Sequence, residues 1–245
     1  MTKSGGKRHL KRPAMPKTWP VPRKGSKFII RMNPGPHRKE YAMPLLILLR
    51  DVLKVAENRK EAKYILSNRK VLVDGKERTN EKFPVGHMDV VYLKGLEKYY
   101  RIQHHISGRL KPFEISEEEA KVKICKVTGK KTIRGGKTQI SLHDGRNIVL
   151  NSEDERVGQI KRGSTLKIEV PSQEIKEIYP LEENVFAMVT EGHHQGKMGH
   201  IVSINKRFGP KASEVTFSSD NGDFSTALEY VFVVGKDEPA ITLLR

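Results

Sequence analysis

The sequence has little cysteine and no long apolar run. Its one cysteine, Cys125, excludes a disulfide framework within the chain and a cysteine-rich zinc site. The longest apolar run, Leu45 to Leu49, is far shorter than the ~20 residues that a helix needs to cross a bilayer. The basic start of the chain is not followed by an apolar segment, as a secretory signal would be. We therefore expect a soluble, cytoplasmic protein with no membrane partner.

Acidic residues are missing from the first 39 positions, which carry twelve Lys or Arg. The other 206 residues carry 34 Lys or Arg and 29 Asp or Glu, so most of the formal net charge of +17 lies in this first segment. We call residues 1–42 the arm. Its many prolines disfavour helix, and the arm is predicted to be an extended strap that becomes ordered only against a polyanion. In a cell the abundant polyanion is nucleic acid.

The arm supplies most of the predicted RNA-binding residues. Trp19 interrupts its polarity and can either stack on a base or anchor the arm on the protein body, and the sequence leaves both alternatives open. The predicted RNA-binding positions of the arm are Lys7, Arg8, Lys11, Arg12, Lys17, Trp19, Arg23, Lys24, Lys27, Arg31, His37, Arg38 and Lys39.

Residues 43–96, called here the helix–hairpin unit, begin with the spacing of two helices. The first predicted helix starts at Leu45, and apolar residues recur at i+3, i+4, i+7, i+8 and i+11. A second short helix is predicted from about Arg59. Its apolar stripe consists of Ala62, Ile65 and Leu66. The period then changes to two around Asp74-Gly75, which predicts a β-hairpin.

The cations of the second predicted helix lie opposite its apolar stripe and next to the hairpin. Such a basic surface can straddle the phosphates of folded RNA and read its shape. A solvated helix face above an ordinary core has the same pattern. The predicted RNA-binding residues of this unit are Arg59, Lys60, Lys63, Arg69 and Lys70, with Gly75 as a structural glycine.

From residue 97 onward, short strand patterns recur between turn signals and no long helix is predicted. This pattern, with only 36% hydrophobic residues, indicates several small domains rather than one large core. We predict a central β unit at residues 97–172 and a C-terminal β unit at residues 173–245, joined by a polar linker that ends near Pro180. Both units are predicted to be barrel-like, so the fold class is α+β and multidomain.

A glycine-rich segment follows the predicted strand Val185–Val189 in the C-terminal β unit. The structural glycines Gly192, Gly196 and Gly199 let the backbone turn with positive φ and approach a partner closely. Lys197 and His200 are then expected to face phosphate or a base. The simpler alternative is an ordinary glycine-rich hairpin turn.

The helix–hairpin unit resembles the small RNA-binding domain that was first named after a ribosomal protein and is shared by pseudouridine synthases and tyrosyl-tRNA synthetases. The residues that carry this resemblance are Arg59, Ala62, Ile65 and Val71-Leu72-Val73-Asp74-Gly75. Asn68-Arg69 stands where that domain has glycine, and Asp74 stands where it has Asn. Residues 191–202 resemble the KOW motif, which is a strand, a glycine loop and a second strand inside an SH3-like barrel.

The order of these parts resembles the archaeal and eukaryotic small-subunit ribosomal proteins of the "four-e" type, and the absence of a longer C-terminal extension favours the archaeal form. The resemblance implies a non-catalytic, structural constituent of the small ribosomal subunit. Its implied partners are ribosomal RNA and neighbouring small-subunit proteins. Local strings that carry it include His9-Leu10-Lys11-Arg12, Pro34-Gly35-Pro36-His37 and Gly86-His87-Met88-Asp89-Val90.

Two rival functions stay open: a KOW-bearing ribosome-assembly or transcription factor, and an RNA-modifying enzyme. Residues 97–245 are too β-rich and too divided for the catalytic domain of such an enzyme. Gly136-Lys137-Thr138 lacks the first glycine of a phosphate loop and precedes a strand pattern. The pairs His104-His105 and His193-His194 are predicted to lie at the surface or against RNA. No catalytic residue, metal ligand, cofactor or small-molecule substrate is predicted.

Overall fold

The structure is a computed structural model that describes residues 9–151, 153–209, 211–219 and 222–243. The predicted RNA-binding residues Lys7 and Arg8 lie outside these ranges. No helix within the ranges is both long enough and apolar enough to span a bilayer.

Most elements are short strands, with a few short helices between them. The strands are β1 (Leu10–Lys11), β2 (Phe28–Ile29), β3 (Ala42–Pro44), β4 (Val71–Val73), β5 (Lys76–Glu77), β6 (Pro84–Gly86), β7 (Val90–Leu93), β8 (Lys98–His104), β9 (Leu110–Ile115), β10 (Val122–Ile133), β11 (Lys137–Leu142), β12 (Asn147–Asn151), β13 (Thr165–Glu169), β14 (Ile175–Tyr179), β15 (Phe186–Val189), β16 (Met198–Asn205), β17 (Glu214–Ser218), β18 (Phe224–Ala227) and β19 (Val231–Gly235). The helices are α1 (Leu45–Ile47), which continues as a π-helical turn over Leu48–Val52, α2 (Arg59–Ser67), α3 (Glu117–Ala120) and α4 (Glu155–Gln159).

Three five-stranded antiparallel sheets organise the described residues. Their strand orders are β5-β4-β7-β8-β9, β12-β11-β10-β13-β14 and β18-β17-β16-β15-β19. Two further pairs, β1-β2 and β3-β6, tie the arm to itself and to the helix–hairpin unit. The prediction of a mixed α and β fold with several sheets is confirmed. The strand after Gly135-Gly136 is also as predicted, because β11 begins at Lys137.

The first sheet crosses the boundary predicted at residue 96. In β7 and β8, Val91 pairs with Tyr100 and Val90 with Arg101, so residues 98–115 extend the sheet of the helix–hairpin unit. Glu97 takes φ 52° in the turn between these strands. The boundary predicted at residue 97 therefore does not separate two sheets, because a local hairpin continues the first sheet through that point.

The linker predicted between Pro171 and Pro180 contains a strand. β14 pairs with β13, and Leu166 lies opposite Ile178. Ile175 and Ile178 pack against the core of the second sheet, and Tyr179 is buried against the core of the third. The apolar residues of this stretch do not alternate strictly, and the pairing register shifts between Lys167 and Ile168. The irregular edge strand that results corrects the linker prediction.

The helix–hairpin unit folds around a fully buried first helix. The side chains from Leu45 to Leu49 are all buried, so this helix is covered on every side rather than along one stripe. The predicted hairpin is confirmed: Asp74 takes φ 49° and Gly75 takes φ 73°, the left-handed pair that a tight two-residue turn requires.

The arm is packed against the helix–hairpin unit from residue 9 onward. Trp19 is only 1% exposed, and its indole Nε1 donates a 2.6 Å hydrogen bond to the Ala42 carbonyl. Met15 and Val21 lie in the same hydrophobic core as Leu45. Burying a tryptophan removes a large apolar area from water, which stabilises the packed arm. The prediction of an extended strap with no packing on the protein body is wrong for residues 9–42, and the role of a polyanion in ordering the arm stays a prediction.

Candidate nucleic-acid interface

Helix α2 presents its cations outward because its other side is packed. Ala62 and Leu66 are fully buried. The Asn58 side chain caps the helix by accepting a 3.0 Å hydrogen bond from the Glu61 amide. Lys60 and Lys63 are exposed on the opposite side. The helix thus places two mobile ammonium groups where a phosphate backbone can approach.

Arg59 differs from these two lysines because an acidic side chain already holds it. Its guanidinium makes a two-pronged contact with Glu81, with Nε–Oε2 at 2.9 Å and Nη2–Oε1 at 2.5 Å. The hydrogen bond from Arg59 lowers the pKa of Glu81, which therefore stays ionised. Lys63 is also near Glu81, at 3.9 Å. Arg59 is thus held in a close ion pair with Glu81, whereas Lys60 forms no ion pair with a described residue.

The position at which the resembling domain has glycine is occupied by a left-handed arginine. Arg69 takes φ 53°, whereas Asn68 keeps a negative φ of −78°. The Arg69 side chain remains exposed and lies 3.7 Å from Glu77. Lys70 is exposed beside it. The turn is thus made without glycine, and it places two cations at the edge of the hairpin.

The arm keeps most of its cations on the outside while its apolar residues are buried. Arg12 instead donates to the Pro22 carbonyl and Arg23 to the Pro13 carbonyl, which closes the arm on itself. Within the described ranges, the lysines of the arm form no ion pair with an acidic side chain. The exposed arm cations are Lys11, Lys17, Arg23, Lys24, Lys27, Arg31, Arg38 and Lys39.

Two of the predicted RNA-binding residues are interior residues. Trp19 is the anchor of the arm, so the base-stacking alternative is wrong for this conformation. His37 is buried, and its Nε2 lies 2.8 Å from Oδ2 of Asp89. Both side chains hold the arm in place and neither presents a surface to RNA.

The glycine-rich segment faces the protein as well as solvent. Gly192 and Gly196 take positive φ, 84° each, but Gly199 lies within β16 and does not. Its expected positive φ is therefore wrong. A side chain at Gly199 would meet the Ser218 carbonyl at 2.3 Å, and one at Gly196 would meet the His105 carbonyl at 2.4 Å. Close backbone packing, rather than a turn alone, requires these two glycines.

Lys197 and His200 are placed differently from each other. The Lys197 ammonium lies 5.2 Å from the centre of the Phe224 ring, a cation–π contact inside the C-terminal sheet. His200 is exposed and its ring contacts Phe186 at 5.2 Å. His200 is therefore the more exposed of the two residues, and Lys197 is half-buried.

Three family models match successive segments of the chain. The RS4NT domain matches residues 4–40, the S4 domain matches residues 43–91, and the model described as ribosomal family S4e matches residues 96–175. The first two cover the arm and the helix–hairpin unit.

Full-length relatives agree with the family models. Small ribosomal subunit protein eS4 of Methanocaldococcus jannaschii is 46% identical, over 99% of this chain and 100% of the relative. The protein of that name from Ignicoccus hospitalis is 44% identical, over 98% and 96%. The chain belongs to the ribosomal S4e family.

A solved structure of the S4e family has the same fold. The crystal structure of the 30S ribosomal protein S4e from Thermoplasma acidophilum superimposes with a TM-score of 0.69 at 34% sequence identity. The match covers 81% of this chain and 97% of that one.

In this S4e family member, a buried charge cluster joins the hairpin to the second sheet. The Lys123 ammonium, which is 0% exposed, lies 2.7 Å from Asp74, 2.6 Å from Asp89 and 3.1 Å from Asp144. Arg146 lies 2.6 Å from Asp74 and 3.1 Å from Asp144. Burial disfavours the charged ammonium, but the carboxylates outweigh it and raise the pKa of Lys123. We call these five residues the charge cluster.

Next to the charge cluster lie three side chains of the kinds that can bind a metal ion. One donor atom each from Cys125, His143 and Asp144 lie within 4.8 Å of one another. The Asp144 carboxylate already contacts the Lys123 ammonium, and the His143 Nδ1 accepts a 3.2 Å hydrogen bond from the Lys126 amide. A lysine ammonium occupies the place of a cation here, so the arrangement fits an ion-pair network rather than a metal centre.

Several histidines meet next to the charge cluster. The His87 ring lies 4.7 Å from His104 and 6.4 Å from His143, centre to centre. Burial lowers the pKa of His104 and of His143 to about 4 each, so both are neutral at pH 7. His104 lies 2.9 Å from the Gln195 amide nitrogen. The prediction of a surface position for His104 is wrong, because it packs at the contact with the glycine-rich segment.

The charge cluster was missed in the sequence. The sequence signal that could have indicated the cluster is Lys123 itself, because it is a charged residue between the apolar Val122 and Ile124 of a strand. Its partners come from three turns that are distant in sequence, and only the fold brings them together.

Proposed function

We propose that this chain is a structural constituent of the small ribosomal subunit, in the cytoplasmic ribosome, and binds ribosomal RNA through the arm and the helix–hairpin unit. One observation carries the proposal: most cations of both parts stay exposed, while many of their apolar residues are buried in one shared core. The relatives named above are small-subunit proteins, which fits ribosomal RNA and neighbouring small-subunit proteins as partners.

The proposed binding is electrostatic and depends on shape. Lys60, Lys63 and Lys70 are exposed on one unit, and Lys24 and Lys27 are exposed on the arm. Each ammonium that neutralises a phosphate releases counterions, which favours binding and makes it salt-dependent. Because the core fixes the backbone beneath these side chains, little further ordering is needed when RNA binds.

We also propose that residues 173–245 contain a KOW-type, SH3-like barrel. The antiparallel order β18-β17-β16-β15-β19 and the strand–loop–strand arrangement of β15 and β16 support this. In this proposal His200 faces RNA, and the backbone at Gly196 packs against residues 105–106 in the loop between β8 and β9.

A charge-reversal experiment tests the proposed RNA surface. The double variant Lys60→Glu/Lys63→Glu should bind a transcript of the organism's small-subunit rRNA more weakly, with a log–log salt slope smaller by roughly 0.7–0.9 for each lost phosphate contact. Its unfolding midpoint should stay that of the wild type, because both side chains are exposed.

The control is Lys161→Glu, at an exposed lysine between α4 and β13 that the proposal does not place on RNA, compared with Lys60→Glu alone. Equal loss of affinity in these two single variants would show non-specific attraction. Unchanged affinity and slope in the double variant would remove α2 from the interface.

A further inference from the structure

The loop between β16 and β17 carries an aromatic side chain that the fold leaves in open solvent. Phe208 is 100% exposed. Phe217 and Phe224 of the same sheet are buried and stack on each other, with ring centres 5.1 Å apart. A single exposed apolar residue is common on proteins, so exposure alone assigns no role to Phe208.

The surroundings of Phe208 give the exposed ring a chemical context. Lys206 and Arg207 precede it, Lys211 follows it, and residues 205–212 contain no acidic residue. Arg207 is held at the base of the loop by Glu214 at 2.6 Å. Lys206 and Lys211 are exposed and make no ion pair with any described residue.

The backbone and the adjacent surface add to this arrangement. Gly209 takes φ 108°, so the chain turns directly after the ring. Beside the loop is a cleft of about 390 Å³, lined by Arg207, Lys211, Glu214 and the hydroxyl-bearing Ser225 and Thr226 among others. An aromatic face, flanking ammonium groups and nearby hydroxyl donors are the combination that binds an unstacked nucleotide.

We propose that Lys206, Phe208 and Lys211 bind an unpaired nucleotide of RNA, with Phe208 stacked on the base and the two lysines on the adjoining phosphates. The inference rests on the proposed function, since it assumes that the chain binds rRNA. It adds a contact at the loop between β16 and β17, separate from the one proposed for His200. A hydrophobic protein partner is disfavoured because the neighbours of the ring in the loop are cations rather than apolar residues.

Three substitutions of Phe208 in the full-length chain separate stacking from general hydrophobic contact. Phe208→Tyr keeps the aromatic face and should bind the rRNA transcript like the wild type. Phe208→Leu keeps an apolar side chain without a π face, and Phe208→Ala removes both. Each of the latter two should weaken binding about tenfold, with an unchanged salt slope because no charge is lost.

Wild-type affinity in Phe208→Leu together with loss in Phe208→Ala would overturn stacking in favour of apolar contact. Wild-type affinity in Phe208→Ala, with loss in Lys60→Glu/Lys63→Glu, would overturn this inference alone. Absence of rRNA binding by the wild-type chain would overturn both proposals.

A fluorescence measurement gives an independent readout. The chain has one tryptophan, Trp19, which is buried, so the emission added by Phe208→Trp reports on position 208. Saturating rRNA should quench this added emission through base stacking. Emission that does not change at saturation would contradict the inference.

Discussion

The cations of the arm mostly face solvent, whereas some cations of the sheets that follow it point into the protein. In the arm, lysines such as Lys24 and Lys27 face solvent. In the second sheet, the Lys126 ammonium is turned inward and donates 2.6 Å hydrogen bonds to the carbonyls of Glu229 and Val231, which belong to the C-terminal β unit. Burial lowers the pKa of Lys126 to about 8. Net charge therefore does not identify a binding surface until the internal cations are set apart from the external ones.

Lys121 and Lys123 show the same contrast, although only one residue separates them in the chain. Lys123 is fully buried in the charge cluster, whereas Lys121 is exposed and pairs with Glu117 at 3.6 Å. An internal cation of this kind joins two sheets, and an external one leaves its charge available to a partner. The predictions below separate these two uses.

The largest effect is expected from removing the internal cation. Lys123→Met should lower the free energy of unfolding by about 4 kcal/mol, because it leaves Asp74, Asp89 and Asp144 buried with too little positive charge. Urea denaturation followed by circular dichroism measures this loss. Lys121→Met is the matched control and should change stability by less than about 0.5 kcal/mol. A loss below about 1 kcal/mol in Lys123→Met would show that the cluster contributes little.

Next in size is the release of the arm from the core. Trp19→Ala should cost about 3 kcal/mol through the lost apolar burial and the unpaired Ala42 carbonyl. Limited proteolysis should then cleave the arm at its lysines well before the helix–hairpin unit. Phe28→Ala, at a half-exposed aromatic of the same arm, should leave the cleavage pattern of the wild type. Equal protection of the arm in both variants would contradict the anchoring role of Trp19.

A smaller effect is expected from acidification. The folded-state pKa of His104 is about 4, and the unfolded value is about 6.5. The unfolded chain therefore binds the proton first as pH falls, and stability decreases from about pH 6.5 down to about pH 4. Between pH 7 and pH 5 this one side chain contributes about 2 kcal/mol of loss. Urea titrations of wild type and His104→Gln at both pH values measure it.

His200→Gln serves as the control, because His200 is exposed. Its stability should depend on pH as the wild-type stability does. If His104→Gln showed the full wild-type pH dependence, His104 would not be a source of the acid sensitivity.

The smallest effect is expected from single external cations of the arm. Lys24→Gln and Lys27→Gln should leave stability unchanged, and each should reduce the log–log salt slope of rRNA binding by roughly 0.7–0.9 if it contacts a phosphate. Nitrocellulose filter binding over a range of KCl concentrations measures the slope. A wild-type slope in the double variant would exclude both side chains from the RNA interface.

Much of the fold could be predicted from local patterns. Asp74-Gly75 specifies its own turn. The strand β11 follows from the alternation of Thr138, Ile140 and Leu142, and β15 follows from a continuous apolar run. The apolar stripe of α2 follows in the same way from the spacing of Ala62 and Leu66. These features depend on neighbours in sequence, which is the information that periodicity contains.

The docking of the arm and the charge cluster could not be predicted in this way. The buried arm residues Leu10, Met15 and Trp19 are irregularly spaced among prolines, so they form no periodic stripe. The pairing of Lys123 with Asp74 joins residues 49 positions apart. Sequence composition therefore predicted the exposed cations of the arm but not the packing of its apolar residues on the core.

Amide hydrogen exchange of the full-length, RNA-free chain tests most directly whether the cationic surface is preformed. The amides of Arg12, Val21 and Leu110 donate to carbonyls of Lys27, Trp19 and Thr18, so they should exchange slowly, at rates near those of the buried residues of α1. Added rRNA should then protect the exposed face of α2 further. Exchange of residues 10–30 at the rate of an unfolded peptide would contradict a preformed surface.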